Sequence, residues 1–294
     1  MNNQANAKPF IKWVGGKGHL LNEIAKKYPI GLGDNINTYI EPFVGGGAVL
    51  FDILQNYSLK RVIINDINPR LINLYELVRD DVESLIEELA IIEEYYHSLS
   101  EDRRKQYFYS EREKFNGGRL SVVEESARFI FLNKTCFNGL YRENKNGLFN
   151  VPFGRYKNPK ICDSENLRMA SNLLKDVIIF CGDYAKAIDY ADANSFVYLD
   201  PPYRPISKDE SFTSYHKCSL SSDADQVKLA MEIEKIASRG AFVLLSNSDP
   251  KTNDEGDDFF DLLYSKSIIS RISVRRFVGG VRKNSVSELL ISNY

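Results

Sequence analysis

Four cysteines and three histidines are all that this 294-residue chain carries of the residues that most often bind metals or form disulfides. Cys136, Cys162, Cys181 and Cys218 lie far apart, as do His19, His97 and His216. No pair has the close spacing of a zinc or redox motif, so scattered, reduced thiols and no metal are expected. Nowhere does an apolar run approach the roughly 18–20 residues needed to span a bilayer. Met1 to Lys8 is polar. No secretory signal and no membrane partner are therefore expected, and the cytoplasm is the expected compartment. The chain also lacks a Gly-Lys-Ser/Thr phosphate-loop tripeptide.

What is present suits a folded protein. Hydrophobic residues make up 43% and charged residues 27%, enough for a real core and too apolar for disorder. A net charge of −2 excludes a uniformly basic polyanion binder. The charges are nevertheless segregated. From Asp80 to Glu101 every formal charge is negative. From Lys134 to Lys160 the bases Lys134, Arg142, Lys145, Arg155, Lys157 and Lys160 face a single acid, Glu143. From Lys266 to Lys283 only bases occur. Two basic faces on a near-neutral protein fit a polyanion held on one side.

The chain reads as α/β. Thr38–Ile40 is a short strand leading into Glu41-Pro42-Phe43-Val44-Gly45-Gly46-Gly47 and a helix from Ala48. Arg61–Asn65 is a second strand ending at Asp66, with Asn68-Pro69 opening a helix. Phe196–Leu199 and Ala241–Leu245 are continuous apolar runs, as in strands buried on both faces, with a helix over 224–238 between them. Ser267–Ile269 and Glu288–Ile291 would supply the last two strands. Leu71 to about Leu99 reads as helical, Ser121 to about Leu132 as another helix, and 133–159 as loops and turns. The expected division is a sheet domain of residues 1–70 and 165–294, interrupted by a helical, loop-rich domain over 71–164.

Two segments carry chemistry. Three glycines after a strand let the backbone approach a ligand closely. The dinucleotide fingerprint fails, because Leu50 stands where its third glycine belongs. An acid at the end of the next strand, Asp66, is placed to accept from ribose hydroxyls, which suggests a nucleoside-bearing ligand. The sharper signal is Asp200-Pro201-Pro202-Tyr203, at the carboxyl end of a buried strand where open α/β sheets bind ligands. Two prolines fix the backbone and remove two donors. A carboxylate beside a carbonyl gives two acceptors for the two hydrogens of an exocyclic amine, and Tyr203 offers a flat face for an aromatic ring.

With these segments in place, the chain resembles the D12-class (alpha group) DNA adenine-N6 methyltransferases of the Dam type, in their GATC-recognising branch. Phe10–Lys17, Glu41–Phe51, Asn65–Tyr75 and Asp200–Tyr203 carry the resemblance. So does the loop with Asn138-Gly139-Leu140-Tyr141-Arg142 and Phe149-Asn150-Val151-Pro152-Phe153-Gly154-Arg155-Tyr156. The similarity runs from Phe10 to the final strand. It implies an S-adenosylmethionine-dependent, Rossmann-like methyltransferase sheet domain with an inserted DNA-recognition domain. Trp13, Lys17, Phe43, Gly45, Gly47, Asp66, Asp183, Tyr184 and Asp200 would hold the cofactor. Asp200, Pro201, Pro202 and Tyr203 would form the catalytic tetrapeptide.

For double-stranded DNA, the resemblance points to Lys12, Phe137, Asn138, Leu140, Arg142, Pro152, Arg155 and Tyr156. Arg142 would read a guanine, Leu140 and Pro152 a thymine methyl, and Lys12 the outer guanine, while Phe137 would fill the stack left by a flipped adenine. A monomer is implied. A restriction endonuclease could be a functional companion without a stable complex. Methylation of cytosine N4 or of RNA adenine stays open at this stage, although the former enzymes tend to place Ser at position 200 and the latter Asn. A non-enzymatic DNA-binding module on the same fold is the third alternative.

Overall fold

The computed structural model describes residues 6–204, 222–278 and 281–294. His216 and Cys218 lie outside the described residues, as do the side chains of Arg275, Arg276, Arg282 and Lys283. The elements in chain order are α1 (Leu21–Ala25), β1 (Thr38–Glu41), α2 (Ala48–Asn56), β2 (Arg61–Asp66), α3 (Pro69–Asp80), α4 (Val82–Ser98) and α5 (Glu101–Gly117). They continue with α6 (Val122–Thr135), α7 (Ser164–Leu174), β3 (Val177–Cys181), α8 (Ala185–Ile188), β4 (Ser195–Leu199), α9 (Asp223–Ser238), β5 (Phe242–Ser248), α10 (Phe259–Leu263), β6 (Ile268–Val278) and β7 (Val281–Ser292).

Two compact units result: Met1–Gly18, Gly45–Asn56 and Asp66–Gly182 form the first, and His19–Val44, Tyr57–Asn65 and Asp183–Tyr294 the second. The boundaries expected at 71 and 164 are not those of the units. The first unit also takes in the N-terminal segment, the glycine turn and α2, because α2 packs on α7 and α7 on α3.

In the second unit the strands lie in the order β2-β1-β4-β5-β7-β6. β1 pairs in parallel with β2 and β4, and β4 with β5. β7 runs antiparallel to both β5 and β6. Every residue of β4 is buried, as its continuous apolar run predicts for a parallel sheet covered on both faces, and β1 is buried throughout although it carries Thr38 and Glu41. The last two strands extend well beyond the expected Ser267–Ile269 and Glu288–Ile291. An antiparallel ribbon needs only one buried face, so its outer part carries polar residues that dilute the apolar signal.

The first unit is mainly helical. The helical stretch expected from Leu71 to about Leu99 is two helices, parted at Asp81 (φ −149°, ψ 62°), whose side chain accepts from the Ser84 amide and caps α4. α3 starts as Asn68-Pro69 predicts: Asn68 accepts from the amides of Arg70 and Leu71, with proline at the first helical position. α6 opens with a reciprocal capping box between Ser121 and Glu124. The acidic run is largely spent inside this unit. Glu83 pairs with Arg168, Glu88 with Arg128, and Glu93 accepts from the amides of Ile161 and Cys162.

Burial pushes the phenols of Tyr39, Tyr198 and Tyr203 well above their ordinary range, with nearby carboxylates adding to it. The folded protein therefore keeps these protons at a pH where the unfolded chain releases them. Their contribution to stability is complete below about pH 10, the unperturbed tyrosine value, and declines above it. Urea midpoints measured from pH 8 to 11 are expected to hold steady and then fall above pH 10. A midpoint that stays level to pH 11 would contradict this.

Candidate active site and nucleic-acid interface

In the first unit, the site is organised around Asp66. Its Oδ2 accepts from the Gly45 amide at 3.1 Å and its Oδ1 from the Asn68 amide at 3.0 Å. Its backbone carbonyl accepts from the Gly182 amide at 3.0 Å. Tyr75, fully buried on α3, donates to the Gly45 carbonyl at 3.1 Å. Gly45 and Gly47 both have positive φ, 47° and 73°. A Cβ on Gly45 would meet Trp13 at 2.7 Å, and one on Gly47 would meet the Tyr75 hydroxyl at 2.5 Å. The glycines are thus required by the chain's own packing. Trp13 itself stacks on Tyr141, with ring centroids 5.3 Å apart at 18°. Lys17 is buried and donates to the Gly15 carbonyl at 2.6 Å.

The remaining expected cofactor residues lie in the second unit. Phe43 and the buried Tyr184 pack with ring centroids 5.3 Å apart. Burial lifts the Tyr184 phenol to about 12, so it remains neutral at working pH. Asp183 is exposed and accepts from the Ala185 amide at 2.9 Å.

Asp200 to Tyr203 follow β4 directly, as a buried strand leading to the sheet's carboxyl edge requires. Asp200 and Tyr203 are half-buried, Pro201 is buried and Pro202 exposed. The Pro202 carbonyl accepts from Gln226 Nε2 at 3.3 Å, and the Tyr203 hydroxyl donates to Glu288 Oε2 at 3.0 Å. Arg204 bonds Asp223 and Asp257, each at 2.6 Å, and lies over the Phe259 ring at 4.5 Å. Sequence reasoning missed Gln226, Asn247, Glu288 and Arg204. The available signal was the polar triplet Ser246-Asn247-Ser248 that closes an otherwise apolar strand.

All the expected DNA-binding residues fall in the first unit. Residues 142–150 form a tight hairpin, with Glu143 bridged to Phe149 and the Asn150 amide donating to the Arg142 carbonyl at 3.0 Å. Arg142 is exposed and its Nε donates to Asn150 Oδ1 at 2.7 Å. Phe137 is 52% exposed, its amide bonded to the carbonyl of exposed Pro152 at 2.8 Å. Leu140 is half-buried. Lys12 Nζ sits 5.2 Å from the centroid of the Tyr156 ring. Among the described residues only Asn138 (φ 56°) and Arg155 (φ 54°) are non-glycines in the left-handed region. Backbone strain of this kind is commonly kept where function needs it.

Asn133 joins these pieces and was also missed. It is fully buried; its Oδ1 accepts from the Lys12 amide at 2.8 Å, and its Nδ2 donates to the carbonyls of Lys12 (2.8 Å) and Gly139 (3.1 Å). Gly139 must be glycine, since a Cβ there would lie 2.3 Å from the Lys12 side chain.

The basic runs fare differently. Arg142, Lys145, Arg155 and Lys157 are exposed on the first unit. In the second run, Lys266 pairs with Glu234, and Arg271 with Asp249 and Asp261. Arg271 is thus held by two carboxylates of its own unit, whereas Lys266 and Glu234 meet on the exposed surface. The Cys136 thiol, pushed to about 12 by burial, is unsuited to nucleophilic chemistry. Among the described residues no cluster of three or more His, Cys, Asp or Glu could hold a metal, and no helix is long and apolar enough to cross a membrane.

The strand order, with an antiparallel β7 set between β5 and β6, is consistent with a Rossmann-like methyltransferase fold. The chain belongs to the D12 class N6 adenine-specific DNA methyltransferases, whose family profile matches residues 13–277. It is 50% identical over 293 residues to the type II methyltransferase M.MjaIII of Methanocaldococcus jannaschii, covering 98% of this chain and 99% of that one. Against the type II methyltransferase M1.LlaDCHI of Lactococcus lactis subsp. cremoris, identity is 37%, covering 99% and 97%. The DNA adenine methylase of Escherichia coli K12 is 35% identical, covering 96% and 94%. The protein is therefore an enzyme that methylates adenine N6 in DNA with a methyl donor. The cytosine-N4, RNA and non-enzymatic readings give way to this one.

Replacing Asn133 with Ala leaves the backbone groups of Lys12 and Gly139 without their partner, at a cost of about 1–3 kcal/mol. A denaturant midpoint lowered accordingly, together with weakened DNA binding, is the expected result. Unchanged stability would show that water replaces the amide.

Proposed function

We propose that the enzyme takes its methyl group from S-adenosylmethionine and transfers it to the adenine of GATC in duplex DNA after rotating the base out of the stack. The observation that carries this reading is the Asp-Pro-Pro-Tyr segment at the end of a fully buried parallel strand. Residues 1–70 and 165–294 would serve catalysis and residues 71–164 target recognition.

The donor chemistry fits the cofactor. Asp66, oriented by two backbone amides, suits ribose hydroxyls, Lys17 suits the amino-acid carboxylate, and Phe43 with Tyr184 offers apolar surface for the adenine ring. Trp13, Gly45, Gly47 and Asp183 would complete the set. When bound, S-adenosylmethionine supplies an electrophilic methyl group on a sulfonium.

Adenine N6 is a weak nucleophile because its lone pair is delocalised into the ring. Unstacking the base costs a few kcal/mol. The Asp200 carboxylate and the Pro201 carbonyl would accept the two N6 hydrogens, concentrating the lone pair toward the methyl carbon. With the sulfonium methyl held opposite, these acceptors would aim N6 at the methyl carbon, and one N6 proton would leave after transfer. Tyr203 would lie against the ring of the flipped base. Alignment of the two reactants supplies the larger part of the acceleration.

On the DNA, Arg142 would pair bidentately with a guanine, its Nε held by Asn150 and its two terminal nitrogens facing the base. Leu140 and Pro152 would touch a thymine methyl. Lys12 would reach the outer guanine, Phe137 would enter the vacated stack, and Asn138, Arg155 and Tyr156 would hold the backbone. The names of the type II relatives support a role in a restriction-modification system, with a companion endonuclease acting on the same site.

Asp200→Ala is expected to lower methyl transfer by at least two to three orders of magnitude, roughly the loss seen when one preorganised hydrogen-bonding group is removed. Turnover near the native rate in a folded variant would sink the proposed role. Arg142→Ala is expected to lose about 1–3 kcal/mol of discrimination at one guanine position. Equal losses on matched and altered sites would mean that Arg142 only grips phosphate.

A further inference from the structure

Gln226 on α9 and Asn247 on β5 are both completely shielded from solvent. Primary amides are rarely buried unless every polar atom has work to do. Here they form one continuous chain of hydrogen bonds. Gln226 Nε2 donates to the Pro202 carbonyl at 3.3 Å, and Gln226 Oε1 accepts from Asn247 Nδ2 at 3.0 Å. Asn247 Oδ1 accepts from the Arg204 amide at 3.3 Å and from the Ser248 amide at 2.9 Å. Ser248 Oγ then donates to the Arg204 carbonyl at 2.8 Å.

The two ends of this chain have opposite polarity. A prolyl carbonyl can only accept and a backbone amide can only donate, so one orientation of each side-chain amide satisfies all the bonds. The chain also grips the backbone on both sides of Tyr203. Proline rings already restrict φ at residues 201 and 202. The bonds to the carbonyl of 202 and the amide of 204 orient the peptide planes that flank Tyr203, and Glu288 holds its hydroxyl. The supports come from a 16-residue helix and a sheet strand. Rigid elements of this kind hold reacting groups more closely than loops do.

We propose that Gln226 and Asn247 are positioning residues for adenine methylation, clamping the segment from Pro202 to Arg204 so that Tyr203 and the preceding acceptors meet the target amine in line. This inference rests on the reading of Asp200–Tyr203 as the catalytic segment. Because misplacement of about 1 Å can cost roughly 100-fold in rate, loss of the clamp should appear in the transfer step and not in binding.

The test compares Gln226→Met, Gln226→Glu, Asn247→Asp and Asp200→Ala in single-turnover and steady-state methylation, with the fold checked by circular dichroism. Gln226→Met has nearly native volume but loses both bonds. Gln226→Glu can still accept from Asn247 but no longer donates to the Pro202 carbonyl. Asn247→Asp keeps the bonds to the backbone amides and loses the one to Gln226. All three are expected to slow transfer by roughly 10- to 100-fold, with KM for DNA and cofactor within about threefold of native. A merely structural role would lower thermal stability and leave the rate of the folded fraction untouched. Native transfer rates in folded Gln226→Glu and Asn247→Asp, or losses confined to KM, would overturn the clamp. Should Gln226→Met fail to fold, those two variants decide. An inactive Asp200→Ala beside fully active Gln226 and Asn247 variants would refute the clamp alone. An active Asp200→Ala would refute the catalytic reading beneath it.

Discussion

The carboxylate of Asp66 is the interaction on which the first unit's ligand-facing geometry depends. Its two oxygens receive the amides of Gly45 and Asn68, joining the glycine turn to the start of α3. Asn68 in turn caps α3, and Tyr75 from that helix returns to the Gly45 carbonyl. The circuit is closed by groups that are each obliged to find a partner when buried. It holds a carboxylate beside a tight glycine turn, where the proposed cofactor would present its ribose hydroxyls. The same circuit explains why bulk is excluded at Gly45 and Gly47: Trp13 and Tyr75 already occupy the space a side chain would take.

Trp13 carries the arrangement toward the recognition loop. Its face stacks on Tyr141, whose hydroxyl bonds Glu143, and Arg70 at the start of α3 lies 3.8 Å from that same glutamate. The hairpin bearing Arg142 is thereby seated on packed aromatic and ionic contacts, while Arg142 itself stays exposed. Most of the acids between Asp80 and Glu101 that have partners meet bases of the same unit. The bases Arg142, Lys145, Arg155 and Lys157 stay exposed on the same unit.

Much of this was readable from residue pattern because the signals were local. β4 and the first part of β5 are short apolar runs, and such runs have few alternatives in a protein of this composition. The Asn68-Pro69 start of α3 and the glycine turn are encoded in adjacent residues. Asp200–Tyr203 stood out by its place after a buried strand, whereas the loop around Arg142 was singled out through family resemblance, since the spacing of Arg142 says nothing of partners far away in sequence. What could not be read depended on tertiary burial. The charged α5 conceals its buried face, because Glu111 is as buried as Phe108 and Phe115 and pairs with Arg128. The break at Asp81 replaces no apolar residue and so leaves the helical period undisturbed. Asn133, Gln226 and Asn247 resemble ordinary surface amides until the fold shows that none of them touches water.

The central claim is methyl transfer to adenine N6 within GATC. It is tested most directly by incubating the enzyme and labelled S-adenosylmethionine with two duplexes that differ only at one GATC, followed by nucleoside analysis of the product. Labelled N6-methyladenine is expected in the GATC duplex and none in the other. Equal labelling of both duplexes, or label in any other nucleoside, would contradict it.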